Sequence, residues 1–416
     1  MITHTPYFEV LASVEDETNP EWKPTLAGLV VLRLVDDWLD MGAQVVTTDV
    51  TGLRAVRGAI ADISEGNPIR SILGGLIDAL EQAEVAMMSL VSSHFFAYGQ
   101  ALSYAGQWQL AQHVFTNIRD RAEAAKDQEI MIQATLRLAF LLRRSGDLRA
   151  ADEAYSFVMQ TAETTGDVES YLRGKFGRVG VVVDQGDLPT ADLMLDKLTH
   201  EVQAHGLTEL HGRVLHERAY LSQLQGNMSA SVRFGYQALE YISDSVARDR
   251  VLAQIALSFA GLGHLQASRD ANLILASTAQ QQEIRWNALI NLMYVAILEE
   301  HELAFEQYRC SLEQASLPPR LEAIYRLDVA RGFFKFGHPA LAQEELSKAR
   351  QLAENHGSNQ LIFEIDTVEV EQAASIKQTK EPHSWPAEIV SIASAIGEWR
   401  QFQETVTAKN NEGVVL

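Results

Sequence analysis

The 416-residue chain has little cysteine and a shortage of positive charge. Its single cysteine, Cys310, has no partner for an internal disulfide, which fits a reducing compartment and predicts a cytoplasmic protein. Lysine and arginine number 34 against 55 aspartates and glutamates, so the formal net charge is −21. Because phosphate backbones and anionic lipids repel such a surface, nucleic acid and membranes are excluded as main partners, and basic or neutral proteins are favoured.

Long apolar runs and targeting signals are missing as well. No stretch approaches the roughly 18 apolar residues that a membrane-spanning helix needs, so the sequence predicts no membrane span. Residues 1–6 contain no basic region followed by an apolar run, and we therefore expect no secretory signal.

The common catalytic and cofactor motifs are also absent from the sequence. It contains no phosphate-binding loop, no dinucleotide fingerprint, no nucleophile elbow and no H-E-x-x-H zinc motif. Glycines at 174, 177 and 180 fall inside a predicted helix, where they favour close helix packing over phosphate binding. We predict no cofactor and no catalytic residues.

One histidine cluster is the only feature that suggests a metal site. Most of its consecutive members are five residues apart, about 140° around a helix, whereas histidines that share a metal on one helix are three or four apart. Convergence across a helix–helix loop stays open, but solvated or capping histidines are the favoured interpretation. The cluster consists of His200, His205, His211 and His216.

What the chain does contain is a regularly repeated glycine. Glycines at 106, 146, 186 and 226 are 40 residues apart, and the series continues at 263 and 337. The intervening sixth copy reads Glu-Glu-His-Glu at residues 299–302 and lacks the glycine. Extended backwards, the series reaches Gly66, which Asn67 and Pro68 follow as a helix cap and a first-turn proline. The pattern predicts an array of helical hairpins.

Small residues occupy two fixed positions around each of these glycines. Both positions are expected to face the other helix of the hairpin, where a small side chain lets the two backbones approach closely. Seven residues before the glycine stand Gly99, Ala139, Val179, Ala219, Ala256 and Ala330, and five residues after it stand Ala111, Ala151, Ala191, Ser231, Ser268 and Ala342.

The small residues, the Gly-Asp type of turn and a following aromatic residue such as Phe115 or Tyr155 resemble the tetratricopeptide repeat. The resemblance covers roughly residues 50–377, although the period of 40 and then about 37 exceeds the usual 34. It looks most like the longer repeats of bacterial signal-sensing modules. HEAT-type repeats, with a period near 40, are the alternative, but the Gly-Asp turn favours the tetratricopeptide interpretation.

This resemblance implies an all-α fold, a right-handed α-solenoid of about eight antiparallel helix hairpins. We predict a lead segment with a capping helix in residues 1–50, a repeat array in 51–377, a closing helix in 378–407 and a disordered tail in 408–416. The capping helix is expected at 25–41, and helices at about 358–377 and 386–404 are expected to form a closing pair.

The resemblance also implies a binding groove lined by the first helix of each hairpin. Thirteen residues before the glycine, three successive hairpins carry arginine, whose planar guanidinium suits carboxylates or phosphates. An arginine in the seventh hairpin extends this stripe, and aromatic residues occupy neighbouring groove positions. The predicted partner is a protein or peptide, with an acidic or C-terminal segment. The predicted groove residues are Arg173, Arg213, Arg250 and Arg331 together with Phe96, Phe140, Phe176, His216 and Tyr220.

Simpler interpretations of these residues stay open. The arginines could form ordinary surface pairs with carboxylates such as Glu169 or Glu209, worth under about 1 kcal/mol each, and the aromatics could pack between neighbouring helices. The lysine and asparagine clamp of chaperone-binding tetratricopeptide proteins is not matched, since Phe96, Gln100 and Tyr104 stand at its positions in one repeat.

Two non-catalytic functions follow from the resemblance. The first is a scaffold that holds a peptide or helix of a partner in the groove. The second is a sensor that responds to a peptide or small ligand and acts on a separate effector, for which residues 1–50 are the candidate docking segment. An enzyme is the weakest alternative, because it depends on the histidine cluster alone, and self-association is left undecided.

Overall fold

The computed structural model describes residues 3–13, 19, 21–40, 50–82, 88–315, 317–355, 359–374 and 384–412. These residues form twenty α-helices and no β-strand. None of the described helices is both long enough and apolar enough to span a lipid bilayer.

The helices follow one another with short connections along most of the chain. Their bounds are α1 Thr5–Ser13, α2 Trp22–Asp40, α3 Val50–Ala61, α4 Pro68–Gln82, α5 Met88–Tyr104, α6 Trp108–Ala125, α7 Gln128–Arg144, α8 Leu148–Thr165, α9 Val168–Asp184, α10 Leu188–Ala204, α11 Thr208–Leu224, α12 Met228–Tyr241, α13 Ser245–Gly261, α14 Leu265–Thr278, α15 Gln282–Leu298, α16 Glu302–Glu313, α17 Pro319–Lys335, α18 Pro339–Asn355, α19 Asn359–Ala374 and α20 Ala387–Glu412.

Left-handed residues separate the two helices of seven hairpins, from α5/α6 to α17/α18. The six turn glycines from Gly106 to Gly337 have a positive φ, between +72° and +87°, whereas Gly66, the backward extension of the series, does not adopt this conformation. In the sixth copy Glu300 takes this conformation at φ +59°, although a side chain there strains the backbone. With α3/α4, which turns at 62–67, the described residues contain eight hairpins. The prediction of an all-α fold of about eight antiparallel hairpins is confirmed.

The small residues on either side of the turn are buried, as the sequence predicts. All twelve lie in the interior, and Ala139 and Ala151 share one apolar cluster between α7 and α8. At Gly99 an added Cβ would stand 2.7 Å from the Phe115 ring. The close contact between the two helices of a hairpin therefore requires small side chains at these positions.

The glycines of α9 serve the same purpose. A Cβ on Gly177 would stand 2.1 Å from the Tyr155 ring, and one on Gly174 would stand 3.2 Å from the Tyr155 carbonyl oxygen. The helix α9 thus packs closely on α8, and the prediction that these glycines serve helix packing is confirmed for both.

Polar residues after several of the turns cap the second helices, although Gln107 makes no such side-chain bond. The Asp147 carboxylate accepts from the Ala150 amide at 3.0 Å, and the Asn227 side chain accepts from Ala230 at 3.1 Å. The turns between hairpins were not predicted from the sequence; there Lys126, Gly166 and Gly206 also adopt a left-handed conformation. Each repeat therefore contains two chain reversals.

The chain divides into two compact units, Met1–Met194 and Leu195–Leu416, with the boundary inside α10. The core of the first unit includes Trp38, Leu73 and Phe115. One core cluster of the second unit joins Ile255 and Phe259 with residues of α20.

The segments at the chain ends differ in detail from the expectation. The helix predicted at 25–41 begins earlier, at Trp22, and Met41 lies outside the described residues. The last helix, α20, continues to Glu412, past the predicted start of the disordered tail at 408, while 413–416 lie outside the described residues.

A polar network that the sequence analysis did not predict holds α1 in the first unit. The His4 ring contacts His113 of α6 at 2.9 Å and Asp36 of α2 at 3.2 Å. Arg121 pairs with the same aspartate at 3.1 Å. Although burial opposes the charged form, the bond from His4 and the charge of Arg121 lower the pKa of Asp36. Because His4 is remote in sequence, periodicity could not reveal this contact.

The predicted pairing of the last two helices is wrong. The helix α20 packs on α14 and α12, the second helices of two earlier hairpins, instead of on α19. Ile389, Ile392 and Ile396 form the buried face of α20 in the core of the second unit. An amphipathic pattern shows that a helix has an apolar face, but it does not show which surface that face covers.

Replacement of a small residue between the helices tests the packing. Ala151→Leu should lower the free energy of unfolding by about 1–3 kcal/mol, because the larger side chain forces α7 and α8 apart. Ala124→Leu, at an exposed position of α6, is the matched control. Equal urea midpoints for both variants would contradict the assigned helix contact.

Replacement of the left-handed Glu300 tests the turn. Glu300→Gly should raise the free energy of unfolding by about 0.5–1 kcal/mol, because relief of backbone strain exceeds the added entropy of an unfolded glycine. Glu300 also accepts a bond from Lys335 at 3.0 Å, so Lys335→Gln removes this contact alone and serves as the control in thermal unfolding. A destabilised glycine variant would show that the side-chain contact outweighs the strain.

Candidate functional site

In the second unit the first helices of successive hairpins, α11, α13, α15 and α17, pack side by side. We call the surface of these four helices the first-helix face. It is the surface on which the sequence analysis places Arg213, His216, Tyr220, Arg250 and Arg331. The structure brings the first four of these residues onto the two neighbouring helices α11 and α13.

Two arginines act on one histidine at this face. Arg213 lies one turn before His216 on α11, and Arg250 approaches from α13. Protein surrounds His216 closely, although its side chain keeps some contact with solvent. Burial, followed by the charges of Arg250 and Arg213, lowers the pKa of His216 to about 4. The histidine is therefore neutral near pH 7, and the local positive charge belongs to the arginines.

The ion pair of Arg213 is weak enough to be replaced. Its guanidinium lies 3.6 Å from the Glu209 carboxylate one turn earlier, and half of the arginine side chain is exposed. The other Glu209 oxygen accepts bonds from the backbone and hydroxyl of Ser243, both at 3.1 Å. Since 3.6 Å is longer than a hydrogen bond and half of the arginine is exposed, Arg213 is able to turn toward another anion, although the Glu209 oxygen that faces it is a buried atom without a hydrogen bond.

Exposed apolar side chains continue the face beyond the arginines. Tyr220 follows His216 by one turn and is 39% exposed, and Leu224 is 45% exposed one turn later. Leu257 of α13, 43% exposed, stands six residues before its turn glycine, the position that Tyr220 occupies in the preceding hairpin. Neither leucine was predicted from the sequence, although the repeat position that Leu257 shares with Tyr220 was a signal that could have identified it.

Arg331 has partners within the fold. Its guanidinium pairs with Asp328 at 2.6 Å and with Glu364 at 3.7 Å, and it lies 5.7 Å from the centre of the Tyr294 ring. This arginine fits the simpler interpretation of a structural ion pair, and its charge is already compensated.

The remaining predicted residues belong to the first unit. Arg173 pairs with Glu169 at 2.6 Å on α9, and Phe96 packs against Phe115 with ring centres 6.1 Å apart. Phe140 is exposed beside the guanidinium of Arg143, and Phe176 is half-buried on α9. Phe96 thus fits the alternative of helix packing, whereas Phe140 remains accessible.

The histidine cluster does not form one site. His200 and His205 are exposed at the end of α10, whereas His211 is buried, 3.1 Å from the Gln203 amide, with its ring 4.6 Å from the Tyr241 ring and tilted against it. His216 lies with the arginines. Within the part of the chain that the structure describes, no three histidine, cysteine or acidic side chains are grouped as metal ligands.

Comparison with known proteins connects this architecture with solved repeat structures. No protein-family model and no curated protein matches the chain. A Rap protein complexed with Competence and Sporulation Factor is similar with a TM-score of 0.51 and 11% identity, over 79% of this chain and 98% of that chain. At this identity the similarity shows the fold alone. The fold is of the tetratricopeptide type.

Two further solved structures resemble the chain with lower TM-scores. A tetratricopeptide repeat protein from Parabacteroides merdae has 14% identity and a TM-score of 0.43, over 66% of this chain and 98% of that chain. The Rap conjugation gene regulator of the plasmid pLS20, in complex with the Phr* peptide, has 10% identity and a TM-score of 0.47, over 80% of this chain and 96% of that chain.

The depressed pKa of His216 predicts a pH dependence of stability. Below pH about 6.5 the unfolded histidine binds a proton, whereas the folded one stays neutral until about pH 4. Stability should therefore fall as the pH drops from about 6.5 to about 4, by at most about 3 kcal/mol from this residue.

Other buried histidines titrate in the same direction, so the measurement compares wild type with His216→Gln. Relative to wild type, the variant should be more stable at pH 4.5 than at pH 7 in urea unfolding. An NMR titration of the His216 ring should give the low pKa directly. A normal value, together with an unchanged pH profile in the variant, would contradict the enclosed position of this side chain.

Proposed function

We propose that this tetratricopeptide-type chain is a non-catalytic scaffold that binds a protein or peptide on the first-helix face of its second unit. The observation that carries the proposal is the combination of Arg213 and Arg250 around a neutral His216, beside exposed apolar side chains. Charge next to accessible apolar surface is the usual composition of a binding hot spot.

The chemistry of the face favours a segment with a carboxylate and an apolar side chain. Arginine binds carboxylates through two parallel hydrogen bonds, and a C-terminal or acidic side-chain carboxylate fits this donor geometry. Tyr220, Leu224 and Leu257 would then bury the apolar neighbour of the carboxylate. A local positive patch on a chain of net charge −21 also selects against basic segments at this position.

The similar Rap structure supports a binding role for this kind of fold. That protein was solved in complex with Competence and Sporulation Factor, so a chain of this architecture is able to hold a partner. A regulatory module that senses a ligand and acts on an effector in trans is the second candidate. It is favoured by the position of α20 behind the same two hairpins.

Charge reversal at the two arginines tests the site. The double variant Arg213→Glu with Arg250→Glu should bind a captured partner at least about tenfold more weakly than wild type. The reason is that hydrogen bonds to charged groups contribute roughly 1.5–3 kcal/mol each. The measurement is affinity purification from source-cell lysate read by mass spectrometry, followed by titration of the identified segment as a synthetic peptide with a free or an amidated C-terminus.

Two control variants make the result specific. Arg149→Glu reverses an arginine that is 90% exposed on α8, and it should keep the partner. Arg173→Glu tests the predicted arginine of the first unit separately. Retention of the partner by the double variant would refute this site, and loss in Arg173→Glu alone would move the site to the first unit.

A further inference from the structure

The last helix of the chain carries a regular apolar face. Ile389, Ile392 and Ile396 recur at helical spacing, and each of them is almost fully buried in the second unit. They pack on α14 and α12 and bypass α16 and α18, the second helices that lie between these hairpins and α20 in sequence. The chain therefore returns over two specific hairpins instead of continuing the array.

Contacts at both ends fasten α20 to the hairpin α13/α14. Just before the helix, the Trp385 indole N–H donates to the Leu262 carbonyl oxygen at 3.1 Å, and the Trp385 ring packs 4.4 Å from that of His264. Four turns later the Arg400 guanidinium donates to the buried Asp270 carboxylate at 2.6 Å. Asp270 otherwise accepts only from Gln266 among the described contacts, so loss of Arg400 would leave a buried charge poorly compensated.

Further contacts fasten the same helix to the hairpin α11/α12. The Trp399 ring stacks on Tyr236 of α12 with ring centres 5.8 Å apart, and Glu388 lies 3.8 Å from the Arg233 guanidinium. One helix thus connects two successive hairpins. On the outward side of α20 Phe402 is 71% exposed, so this side chain contributes little to the attachment.

The two connected hairpins are the ones that carry the proposed site. Arg213 and His216 lie on α11 and Arg250 lies on α13, while α20 holds their partner helices α12 and α14. A change in the distance or angle between the hairpins would alter the spacing of the two arginines. Because each hairpin is closely packed at its small residues, such movement is transmitted from the second helix to the first.

We propose that α20 is a detachable strap that fixes the spacing of the hairpins α11/α12 and α13/α14, and so controls the first-helix face from behind. The part that concerns partner binding rests on the proposed function, whereas the mechanical part does not. By reciprocity, a ligand that prefers one arginine spacing changes the attachment of α20 by the same factor that α20 changes the affinity for the ligand. A released α20 would then present Ile389, Ile392 and Ile396 to solvent and signal the bound state.

The first test asks whether α20 detaches as a unit in the full-length chain. Arg400→Glu should accelerate hydrogen exchange of α20 at least about tenfold, while α11 and α13 remain protected. Arg400→Lys keeps the positive charge next to Asp270 and should restore protection, and Phe402→Glu alters only the exposed side. A second release variant, Ile392→Asp with Ile396→Asp, is used in case loss of the ion pair between Arg400 and Asp270 is not enough to detach α20. Normal protection of α20 in both release variants, or loss of protection throughout α11–α14, would overturn the strap.

The second test reads the hairpin spacing without any partner. Since burial and then the charge of Arg250 on α13 lower the pKa of His216 on α11, looser hairpins should let the NMR-measured pKa of His216 rise by roughly half a unit or more in the release variants. A pKa that stays at the wild-type value after release of α20 would refute the coupling. A risen His216 pKa in the release variants would support the strap even if charge reversal at Arg213 and Arg250 left partner binding unchanged. In that case only the proposed function would be refuted.

The third test measures the coupling to the ligand. With a captured peptide in hand, the release variants should bind it with an affinity that differs from wild type by about 5-fold or more, within the usual range of allosteric coupling. The peptide should also change hydrogen exchange of α20 in the wild-type chain. Equal affinities in wild type and release variants would show that α20 does not control this face.

Discussion

The close contact of two helices at paired small residues is the constraint on which the hairpins depend. Where Ala139 of α7 meets Ala151 of α8, neither side chain extends beyond Cβ, so the apolar faces around them come within packing distance. The left-handed residue between the helices sets the reversal that makes this contact possible. Glu300 shows how strongly the contact acts, because the turn keeps its geometry even without glycine. Backbone strain there is offset by the packing of the helices on either side.

Close packing of this kind restricts movement of the two helices of one hairpin relative to each other more than movement of one hairpin relative to the next. In the second unit the first helices meet at α11, α13, α15 and α17, and residues at equal repeat positions therefore recur on one surface. Tyr220 and Leu257 share such a position, and both are exposed. The repeat thus places chemically related side chains at intervals fixed by helix packing, which gives a repeat surface its specificity.

The sequence predicts the turns within the hairpins and their small residues, but it misses the turns between hairpins and the contacts that occur only once. Glycine spacing located the turns within the hairpins from α5/α6 onward and the small interhelical residues, and the resemblance to tetratricopeptide repeats indicated the candidate arginines on α11 and α13. The same pattern could not tell that Arg331 is compensated by Asp328, because that pair is local to one hairpin. It also could not place α20 or the contact of His4 with His113, since each joins segments about a hundred residues or more apart through a few side chains. Periodicity in the sequence predicts contacts between adjacent repeats. The contacts of α20 and of His4 depend instead on where a terminal segment packs in the folded protein.

Both chain ends nevertheless follow one rule within their own units. The residue seven positions after a turn glycine contacts a terminal helix or its flank in three hairpins, since His113 meets His4, Arg233 meets Glu388 and Asp270 meets Arg400. This position faces outward from the second helix, so the main packing partners of α1 and α20 beyond α2 are the second helices α6, α12 and α14. Chain ends attached there leave Tyr220 and Leu257 of the first helices accessible. A ligand bound at the proposed site and α20 on the second helices would therefore act on the same hairpins without competing for space, which is the arrangement that the proposed regulation requires.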